Sequence, residues 1–435
     1  MRQLQQIAFK ILPVSWLRNR LVQLANIQSF SENKKKIIID VSSIAQSDAK
    51  TGIQRVIRNL YRQLLLNPPD GYQICPVMAT RRRFYQYIPT DFLQMPSPAI
   101  VDNTPIQIHS GDIFLGLDLS AHLTHHHLPE LWAWKRQGLH MTFVIYDLLP
   151  VLQPQWFTPR ASRNFHQWLH VLALLADNTF AISRSVQGDF YSWMLDKYKL
   201  NESNLPCSPI QLGAELNSED DASDCTENHL PMYLVDQKYV LIVGTLEPRK
   251  GHDDLLNAFD QLWSNGEQTN LVIVGKQGWK VESLVDRLRG HLELGKRLHW
   301  FNDANDEILR ALYRFSRGVI LASKGEGCGL PLIEAAFFNK PVLARDIPVF
   351  KEIAGNTVSF FSNTACDELP YILSEWLHKL NSINCEPNKT TVATWKVSCD
   401  QLTKALFQLL NKEIVVSQGN ISAIQEQSNL YEGKT

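Results

Sequence analysis

The sequence has no apolar run approaching the roughly 18 to 20 consecutive residues that a membrane-spanning helix needs. Near residue 1 it also lacks a long apolar stretch ending in a small-residue cleavage site, which a secretory signal would carry. Its seven cysteines are scattered and form no C-x-x-C pair, so the usual zinc and redox motifs are excluded. These absences predict a cytoplasmic protein in a reducing compartment.

Net charge of either sign is nearly absent as well. Acidic and basic side chains cancel to a formal charge of -1, so the chain lacks the overall basic field typical of nucleic-acid-binding proteins. We therefore expect no nucleic-acid partner. Apolar material, by contrast, is plentiful: 44% of the 435 residues are hydrophobic, enough for a large core divided between two or three domains.

Residues 1–36 differ from the rest of the chain in charge. Arginines and lysines face a single acid, Glu32, and are interleaved with apolar residues such as Phe9 and Trp16. This composition is typical of a helix lying on an anionic membrane surface, here the inner face of the membrane. The alternative is a helix packed on the protein's own surface, and Pro13 interrupts any single long helix. The sequence leaves both interpretations open.

Strand and helix patterns alternate through residues 37–215, which we assign to a first α/β domain. Ile37–Asp40 is a β-branched run that ends in a carboxylate, and Gly52–Leu66 has helical periodicity. Further along, Met141–Ile145 and Thr179–Ile182 indicate strands on either side of a helix over Arg160–Leu175.

A second domain is predicted over residues 237–393, after an acidic linker at 216–236. Its apolar runs indicate strands that are each followed by a helical stretch: Tyr239–Val243, Leu271–Val274, Leu298–Phe301, Gly318–Leu321 and Val342–Ala344. Repeated βαβ units call for a parallel sheet with helices on both faces. A helix over 394–410 could cross back to the first domain, and the polar residues 411–435 are expected to form a mobile tail.

The predicted fold is therefore α/β, with two doubly wound, Rossmann-like domains facing a cleft. In such folds, ligands bind outside the carboxyl ends of the strands. We expect the functional residues in the loops that follow the strands.

The loop Gly244–Gly251 (GTLEPRKG) directly follows the strand Tyr239–Val243 and precedes a helix that begins near His252. Arg249 can fork onto phosphate oxygens, and Lys250 adds a compact positive charge. The free N–H groups of a helix N-terminus strengthen the field of such cations. The loop therefore predicts an anion site, with a pair of solvated surface cations as the alternative.

A second loop, Gly325–Glu334 (GEGCGLPLIE), also follows a predicted strand. Its three glycines let the backbone approach a ligand closely, and Pro331 suits the first turn of a helix. Glu326 would lie on the loop, where it could bond sugar hydroxyls or steady developing positive charge. Glu334 would lie about one turn inside the helix, where it could accept hydrogen bonds from a ribose diol or be merely solvated.

Gly325–Glu334 closely resembles the E-x7-E signature of the retaining glycosyltransferases of family 4, which have the two-domain fold called GT-B. Gly244–Gly251 is similar to that family's diphosphate loop, and Val274–Gly278 to its glycine turn at a strand end. Two further segments are similar to its first helix and to the region after the signature: Thr51–Leu60 and Lys340–Gly355. The likeness covers most of the chain from Ile37 to about Leu410.

The resemblance implies that residues 37–215 form the acceptor-side domain and residues 237–393 the nucleotide-sugar donor-binding domain. It also implies that Arg249 and Lys250 bind the donor diphosphate and do the electrostatic part of the catalysis. Glu334 would bind the ribose, and Glu326 with the amides of residues 327–329 would bind the transferred sugar. The donor-binding set that the resemblance implies is Gly52, Gly244, Thr245, Gly275, Gly327, Cys328, Gly329, Leu330 and Glu334. Cys328 departs from the aromatic residue that the family often has, which puts the shape of the sugar pocket in question.

Tyr146 and Asp147 follow the strand Met141–Ile145 and are expected to point into the same cleft. The family frequently has His-Asp here, so Tyr146 removes a group that could transfer a proton near neutral pH. Asp147 is our acceptor-side catalytic candidate, since it could accept a hydrogen bond from an acceptor or donor hydroxyl. The alternative for Asp147 is a strand-end cap.

No metal and no other cofactor is expected. A metal ion is unnecessary if Arg249 and Lys250 neutralise the leaving group, and no D-x-D motif follows a predicted strand. The acidic stretch Asp220–Asp224 lies in the predicted linker and is assigned to solvent. His122 and His125–His127 lack the spacing of a catalytic zinc site, so we expect a polar surface turn.

The sequence thus predicts a retaining glycosyltransferase that moves a hexosyl unit from a GDP- or UDP-sugar to a saccharide or lipid-linked saccharide in polysaccharide biosynthesis. Mannose is the first candidate sugar, on the resemblance alone. Two alternatives stay open: a nucleotide-sugar epimerase of the same fold, and a nucleotide-sugar-binding protein without catalysis. Tyr146 and Cys328 are the features that favour the second of these.

Overall fold

The computed structural model describes residues 34–95, 99–215, 229–354, 358–362, 368–381, 392–408 and 410, together with Pro13, Val14 and Leu17. Residues 216–228 of the predicted linker and the predicted tail over 411–435 lie outside this set. The described residues build two sheets. In each of them, the strands alternate along the chain with helices.

The first sheet holds seven strands within the described residues, in the order β3-β2-β1-β4-β5-β6-β7. Their bounds are Lys35–Asp40 (β1), Tyr72–Met78 (β2), Gln86–Tyr87 (β3), Ile113–Gly116 (β4), His140–Ile145 (β5), Asn178–Ala181 (β6) and Cys207–Pro209 (β7). Neighbouring strands are parallel except β2 and β3. Sequence reasoning did not identify β2, whose pattern is broken by Pro76, or β4.

Helices of the first domain follow the strands and cover both faces of the sheet. Their bounds are Ser42–Gln46 (α1), Gly52–Leu66 (α2), Leu128–Arg136 (α3), Leu149–Leu152 (α4), Pro159–Leu175 (α5) and Arg184–Tyr198 (α6). A capping box fixes the start of α2, because the Thr51 hydroxyl accepts from the Gln54 amide and the Gln54 side chain accepts from the Thr51 amide.

The second sheet holds six parallel strands within the described residues, in the order β10-β9-β8-β11-β12-β13. Their bounds are Tyr239–Val243 (β8), Asn270–Val274 (β9), Leu298–Phe301 (β10), Gly318–Leu321 (β11), Val342–Arg345 (β12) and Ser359–Phe361 (β13). The helices between and after them are His252–Ser264 (α7), Glu282–Arg289 (α8), Asp306–Phe315 (α9), Leu330–Phe337 (α10), Pro348–Ala354 (α11) and Leu369–Asn381 (α12).

Both sheets therefore have the strand order of a doubly wound α/β fold, and the fold class predicted from the sequence is confirmed. Central strands such as β5 and β9 are buried along their whole length because helices cover both of their faces. The strand order reverses between β1 and β4 in the first sheet and between β8 and β11 in the second. Ligands of this fold bind at these two switch points.

The helix over 395–408 packs on the first domain. Its residues Trp395, Cys399, Leu402 and Leu406 are buried in the same core cluster as β1 and β5. The Trp395 indole N–H donates to the carbonyl of Glu215 at 2.8 Å. Val14 and Leu17 are buried in this cluster too, so part of the basic segment 1–36 packs against the protein itself. The rest of residues 1–33 lies outside the described set.

Candidate functional site

The two loops singled out in the sequence lie side by side at the switch point of the second sheet. Gly244–Gly251 follows β8, and the loop that begins at Ala322 follows β11, its neighbour in the sheet. Gly251 has φ +70° and a Cβ there would lie 2.2 Å from the Ala322 carbonyl oxygen, so only glycine fits where the loops touch. Helix α7 begins at the next residue, His252, as predicted.

Arg249, Lys250 and Glu326 form one ion cluster between these loops. The Lys250 ammonium lies 2.5 Å from Glu326 Oε1, and Arg249 Nη1 lies 2.9 Å from Glu326 Oε2. Arg249 also donates from Nε to Glu247 and from Nη1 to the Gly325 carbonyl. Arginine carries five N–H donors and lysine three, so both cations keep donors for a further anion.

Burial would raise the pKa of Glu326, but the charges of Lys250 and Arg249 outweigh it and hold that pKa at about 2. Burial would lower the pKa of Arg249, yet Glu326, Glu247 and Asp147 together raise it. The Glu326 carboxylate and the Arg249 guanidinium are therefore both charged across the physiological pH range.

A glycine turn brings a third loop against the first. A Cβ on Gly275, which follows β9, would lie 1.9 Å from the carbonyl oxygen of Gly244 and 3.2 Å from the Thr245 nitrogen. Beyond it, the Leu246 amide donates to the Lys276 carbonyl at 2.8 Å. Because Gly275 has no side chain, the loop Gly244–Gly251 can pass this close to it.

Residues 327–329 end the second-domain loop between β11 and α10, and they contact the first domain. A Cβ on Gly327 would lie 1.9 Å from the carbonyl oxygen of Tyr146, and the Ser183 hydroxyl donates to the Gly327 carbonyl at 2.7 Å. Gly329 has φ +82° and caps the N-terminus of α10. Helix α10 then carries Leu330 and Pro331 in its first turn, where proline is favoured.

Asp147 lies close to the ion cluster but belongs to the first domain. It is half-buried, it accepts from the Leu149 amide at 3.0 Å, and it interacts electrostatically with Arg249, Glu326 and Glu247. Burial raises the pKa of Asp147, and the charge of Arg249 opposes that rise. The first-domain strand end β5 and the second-domain cations therefore meet across one cleft.

Tyr146 does not point into the cleft, and that expectation was wrong. Its ring is buried in the first-domain core, and its hydroxyl donates to the Leu117 carbonyl at 2.7 Å. The Cys328 side chain is also buried, and it belongs to the core cluster of the first domain. Tyr146 and Cys328 are the two departures from the family pattern, and the side chains of both are packed in the protein core.

Glu334 and Gly52 connect the same two domains further along the cleft. A Cβ on Gly52 would lie 3.5 Å from Leu330 Cδ1, so two of the predicted donor residues face each other. Glu334 lies inside α10 and is paired with Arg55 of α2 in the first domain. Its other oxygen accepts from the Tyr313 hydroxyl at 2.6 Å.

Polar contacts elsewhere hold the domains together on either side of the cluster. Glu352 of α11 accepts from the first two amides of α6, Arg184 and Ser185, at 2.7 and 2.8 Å, and so caps that helix. The Trp279 indole N–H donates to the Trp156 carbonyl at 2.8 Å.

The histidine stretch is not entirely the polar surface turn that the sequence predicts. His122 and His126 are exposed, but His127 is buried and its Nε2 lies 2.7 Å from the Thr80 carbonyl. Across the described residues, no group of three or more His, Cys, Asp or Glu is arranged to hold a metal ion.

His252, Arg55, Glu247 and Ser323 are site residues that sequence reasoning missed. His252 is fully buried, and neither ring nitrogen has a hydrogen-bond partner among the described residues. It lines a cavity of about 10 Å³ with Lys250, Ser323 and Glu326. Burial and the charge of Lys250 lower the pKa of His252 to about 3, so the imidazole is neutral. Its place directly after Gly251 is the signal that could have identified it.

Residues 234–379 match the model of the protein family described as Glycosyl transferases group 1. The matched residues contain the ion cluster, the glycine turn and Glu334. The serotype-specific mannosyltransferase WbdA of Escherichia coli is 38% identical over 385 residues, which is 87% of this chain and 46% of WbdA. The chain therefore spans about half the length of that relative.

Solved glycosyltransferase structures share the fold. Sucrose-phosphate synthase of Thermosynechococcus elongatus superposes with a TM-score of 0.61 at 16% identity, covering 87% of this chain and all of that chain. HepE of Anabaena, in complex with UDP and glucose, superposes with a TM-score of 0.55 at 16% identity, covering 89% of this chain and all of that one. At this level of identity the likeness concerns the fold. Among the described residues, no helix is long and apolar enough to span a membrane.

Proposed function

We propose that the chain is a retaining glycosyltransferase of family 4 that transfers a mannosyl unit from a GDP- or UDP-sugar. The observation that carries the proposal is the meeting of Arg249, Lys250 and Glu326 at the switch point of the second sheet, with Asp147 reaching them from the first. Ligands of doubly wound folds bind at this place. The E-x7-E roles of Glu326 and Glu334 belong to the same proposal.

In this proposal the donor diphosphate binds the free N–H donors of Arg249 and Lys250. The bond between the anomeric carbon and the diphosphate oxygen breaks, and negative charge grows on the leaving oxygen. Fixed cations in a buried site stabilise that charge without reorganising. The acceptor hydroxyl attacks the same face of the sugar, and its proton passes to the leaving diphosphate. No metal and no protein nucleophile takes part.

Glu326 is assigned to the transferred sugar. Its pKa of about 2 keeps it ionised, so it can only accept hydrogen bonds, which suits sugar hydroxyls and an oxocarbenium-like transition state. Asp147 is assigned to the acceptor side of the cleft. Burial raises its pKa, which brings its carboxyl group closer to accepting a proton than an exposed aspartate would be.

The identities of the transferred sugar and of the acceptor are inferred from similarity to a relative. The likeness to WbdA supports mannose as the sugar, and supports a saccharide or lipid-linked saccharide of a polysaccharide as the acceptor. A lipid-linked acceptor would place the reaction at the cytoplasmic face of a membrane. The basic composition of residues 1–36 supports contact there, through residues other than the buried Val14 and Leu17.

The experiment that tests the proposal offers the purified protein a panel of nucleotide sugars. GDP-mannose, UDP-mannose, UDP-glucose and UDP-N-acetylglucosamine are each supplied with a mannose oligosaccharide or a membrane extract as acceptor. We expect transfer from one mannosyl donor, and NMR of the product should show the anomeric configuration of the donor. An inverted product would overturn the retaining assignment.

The same assay separates the two alternatives. An epimerised nucleotide sugar formed without acceptor would identify an epimerase. Tight donor binding with no transfer to any acceptor would identify a binding protein without catalysis. Binding of no nucleotide sugar at all would remove the donor-site assignment.

A further inference from the structure

Arg55 of the first domain reaches across the cleft into the second. It lies in the first turn of α2, whose start is fixed by the Thr51 capping box. Its guanidinium pairs with the carboxylate of Glu334, and its Nη2 lies 3.8 Å from Asp306 Oδ1. The Arg55 side chain is 20% exposed and that of Glu334 is 3% exposed, so this ion pair is shielded from water.

Glu334 has acceptor capacity left after these contacts. A carboxylate offers about four acceptor positions on its two oxygens. Arg55 takes a position on one oxygen, and the Tyr313 hydroxyl takes a position on the other. Burial raises the pKa of Tyr313 well above its ordinary value, so the phenol stays protonated and keeps donating. About two acceptor positions of the carboxylate therefore remain for the two hydroxyl donors of a vicinal diol.

The pair can form only when the two domains approach each other. Glu334 and Tyr313 lie on α10 and α9 of the second domain, whereas Arg55 lies on α2 of the first. When the cleft opens, Glu334 loses its cationic partner while remaining in a largely apolar helix interface, which is costly for a carboxylate. Asp306, at 54% exposure, depends far less on Arg55.

We propose that Arg55 is a positioning residue of the donor site that acts through Glu334 and couples closure of the cleft to occupancy of the ribose position. With Arg55 in place, the Glu334 carboxylate is held in the orientation that receives the diol. The bound diol in turn favours the closed arrangement in which Arg55 and Glu334 meet. This inference rests on the proposed function, because it assumes that Glu334 receives the ribose of a nucleoside diphosphate.

The experiment measures binding of GDP and UDP by titration calorimetry to the full-length protein and to Arg55→Gln. We expect the nucleotide that binds the wild type to bind the variant about tenfold more weakly, since a buried carboxylate then lacks its cation. Arg58→Gln is the matched control, because Arg58 lies one turn further along the same helix and pairs with Asp48 of its own domain. The control should change the affinity less than about twofold.

A second measurement tests whether Arg55 acts through the diol. The wild type should bind the 2′,3′-dideoxy form of its nucleotide about tenfold or more weakly than the natural one, because two hydroxyl donors to Glu334 are missing. In Arg55→Gln this penalty should shrink, and Arg55→Lys should recover part of it. A merely structural loss would weaken both nucleotides equally. Circular dichroism and melting temperature check that each variant is folded.

The outcomes distinguish a failure of the proposed function from a failure of the role assigned to Arg55. If the wild type binds neither GDP nor UDP, the proposed function fails and this inference fails with it. If the wild type binds one of them and Arg55→Gln binds it as tightly, only the inference is overturned. An unchanged dideoxy penalty in both Arg55 variants would overturn it as well.

Discussion

The switch points of the two sheets lie at equivalent places in their folds, and each holds a buried acid with an opposite pKa shift. In the first sheet, Asp118 follows β4. It accepts from the amides of Ser43 and Ile44 at 2.7 and 2.8 Å, and no described cation pairs with it. Burial and the nearby Asp40 raise the pKa of Asp118 to about 7. In the second sheet, two cations hold the pKa of Glu326 at about 2.

This difference favours the second sheet as the place where the proposed anionic donor binds. Helix α1 of the first domain sits at the first switch point and uses its own amides to satisfy Asp118, so the chain itself occupies the place of a ligand. At the second switch point, Arg249 and Lys250 keep unused N–H donors after binding Glu326. A diphosphate would be repelled at the first point and attracted at the second.

Removing the Lys250 cation should impair the ion cluster at the second switch point without affecting Asp118 at the first. We expect Lys250→Ala to lower kcat by about 10²- to 10³-fold, the loss that follows removal of one fixed donor to a leaving oxyanion. Lys351→Ala is the control, since Lys351 is 57% exposed and pairs with the exposed Asp346. Its rate should stay within about twofold. A Lys250→Ala enzyme with the wild-type rate would remove Lys250 from the catalytic set.

The low pKa of Glu326 makes a prediction about stability. Because the folded pKa lies below the ordinary value of 4.5, the ion cluster contributes its full stability above about pH 4.5 and loses it as pH falls toward about 2. Glu326→Gln should lower the free energy of unfolding by about 3 kcal/mol at pH 7, with a gap that closes below pH 4.5. Urea unfolding at several pH values measures the gap.

The matched control for this series is Glu293→Gln, which removes a partly exposed i,i+4 partner of Arg297. It should cost about 0.5 kcal/mol or less. Equal losses in the two variants at pH 7 would contradict the special role of the buried cluster.

The position of the two loops Gly244–Gly251 and Gly325–Glu334 after strands could be predicted from the sequence, because each is a contiguous motif after a strong apolar run. The contact of Arg55 with Glu334 could not, since the two residues are 279 positions apart and no local pattern relates them. Tyr146 was misplaced for a different reason. The end of a strand fixes where a side chain begins but not whether the chain turns it toward the cleft or, as here, toward the Leu117 carbonyl.

The raised pKa of Asp118 predicts the opposite pH dependence. Since the folded pKa of about 7 lies above the ordinary 3.8, the folded protein binds the extra proton between those values and loses stability as pH rises through the window. Asp118→Asn keeps an oxygen acceptor for the amides of Ser43 and Ile44 but carries no charge. It should gain about 2 kcal/mol over the wild type at pH 8 and nothing near pH 4.

Asp118→Ala is the matched comparison, because it removes the acceptor as well as the charge. It should be less stable than Asp118→Asn at every pH, as two buried amides lose their partner. If Asp118→Asn and the wild type unfold in parallel from pH 4 to 8, the two switch points do not differ in the way described.

The substitution Gly327→Ala tests whether the reaction requires the contact between the two domains at Gly327 and Tyr146. A Cβ on Gly327 would lie 1.9 Å from the carbonyl oxygen of Tyr146, and a backbone atom cannot rotate away as a side chain could. Because this contact joins the two domains, Gly327→Ala should hold them apart while leaving each sheet folded. We expect kcat to fall about tenfold or more, since small misplacements of reacting groups are costly, with little change in melting temperature. Gly188→Ala in α6, where no atom lies within 4 Å of the added methyl, should leave the rate unchanged. Wild-type activity in Gly327→Ala would mean that Asp147 and the first domain contribute little to the reaction, and that the second switch point acts alone.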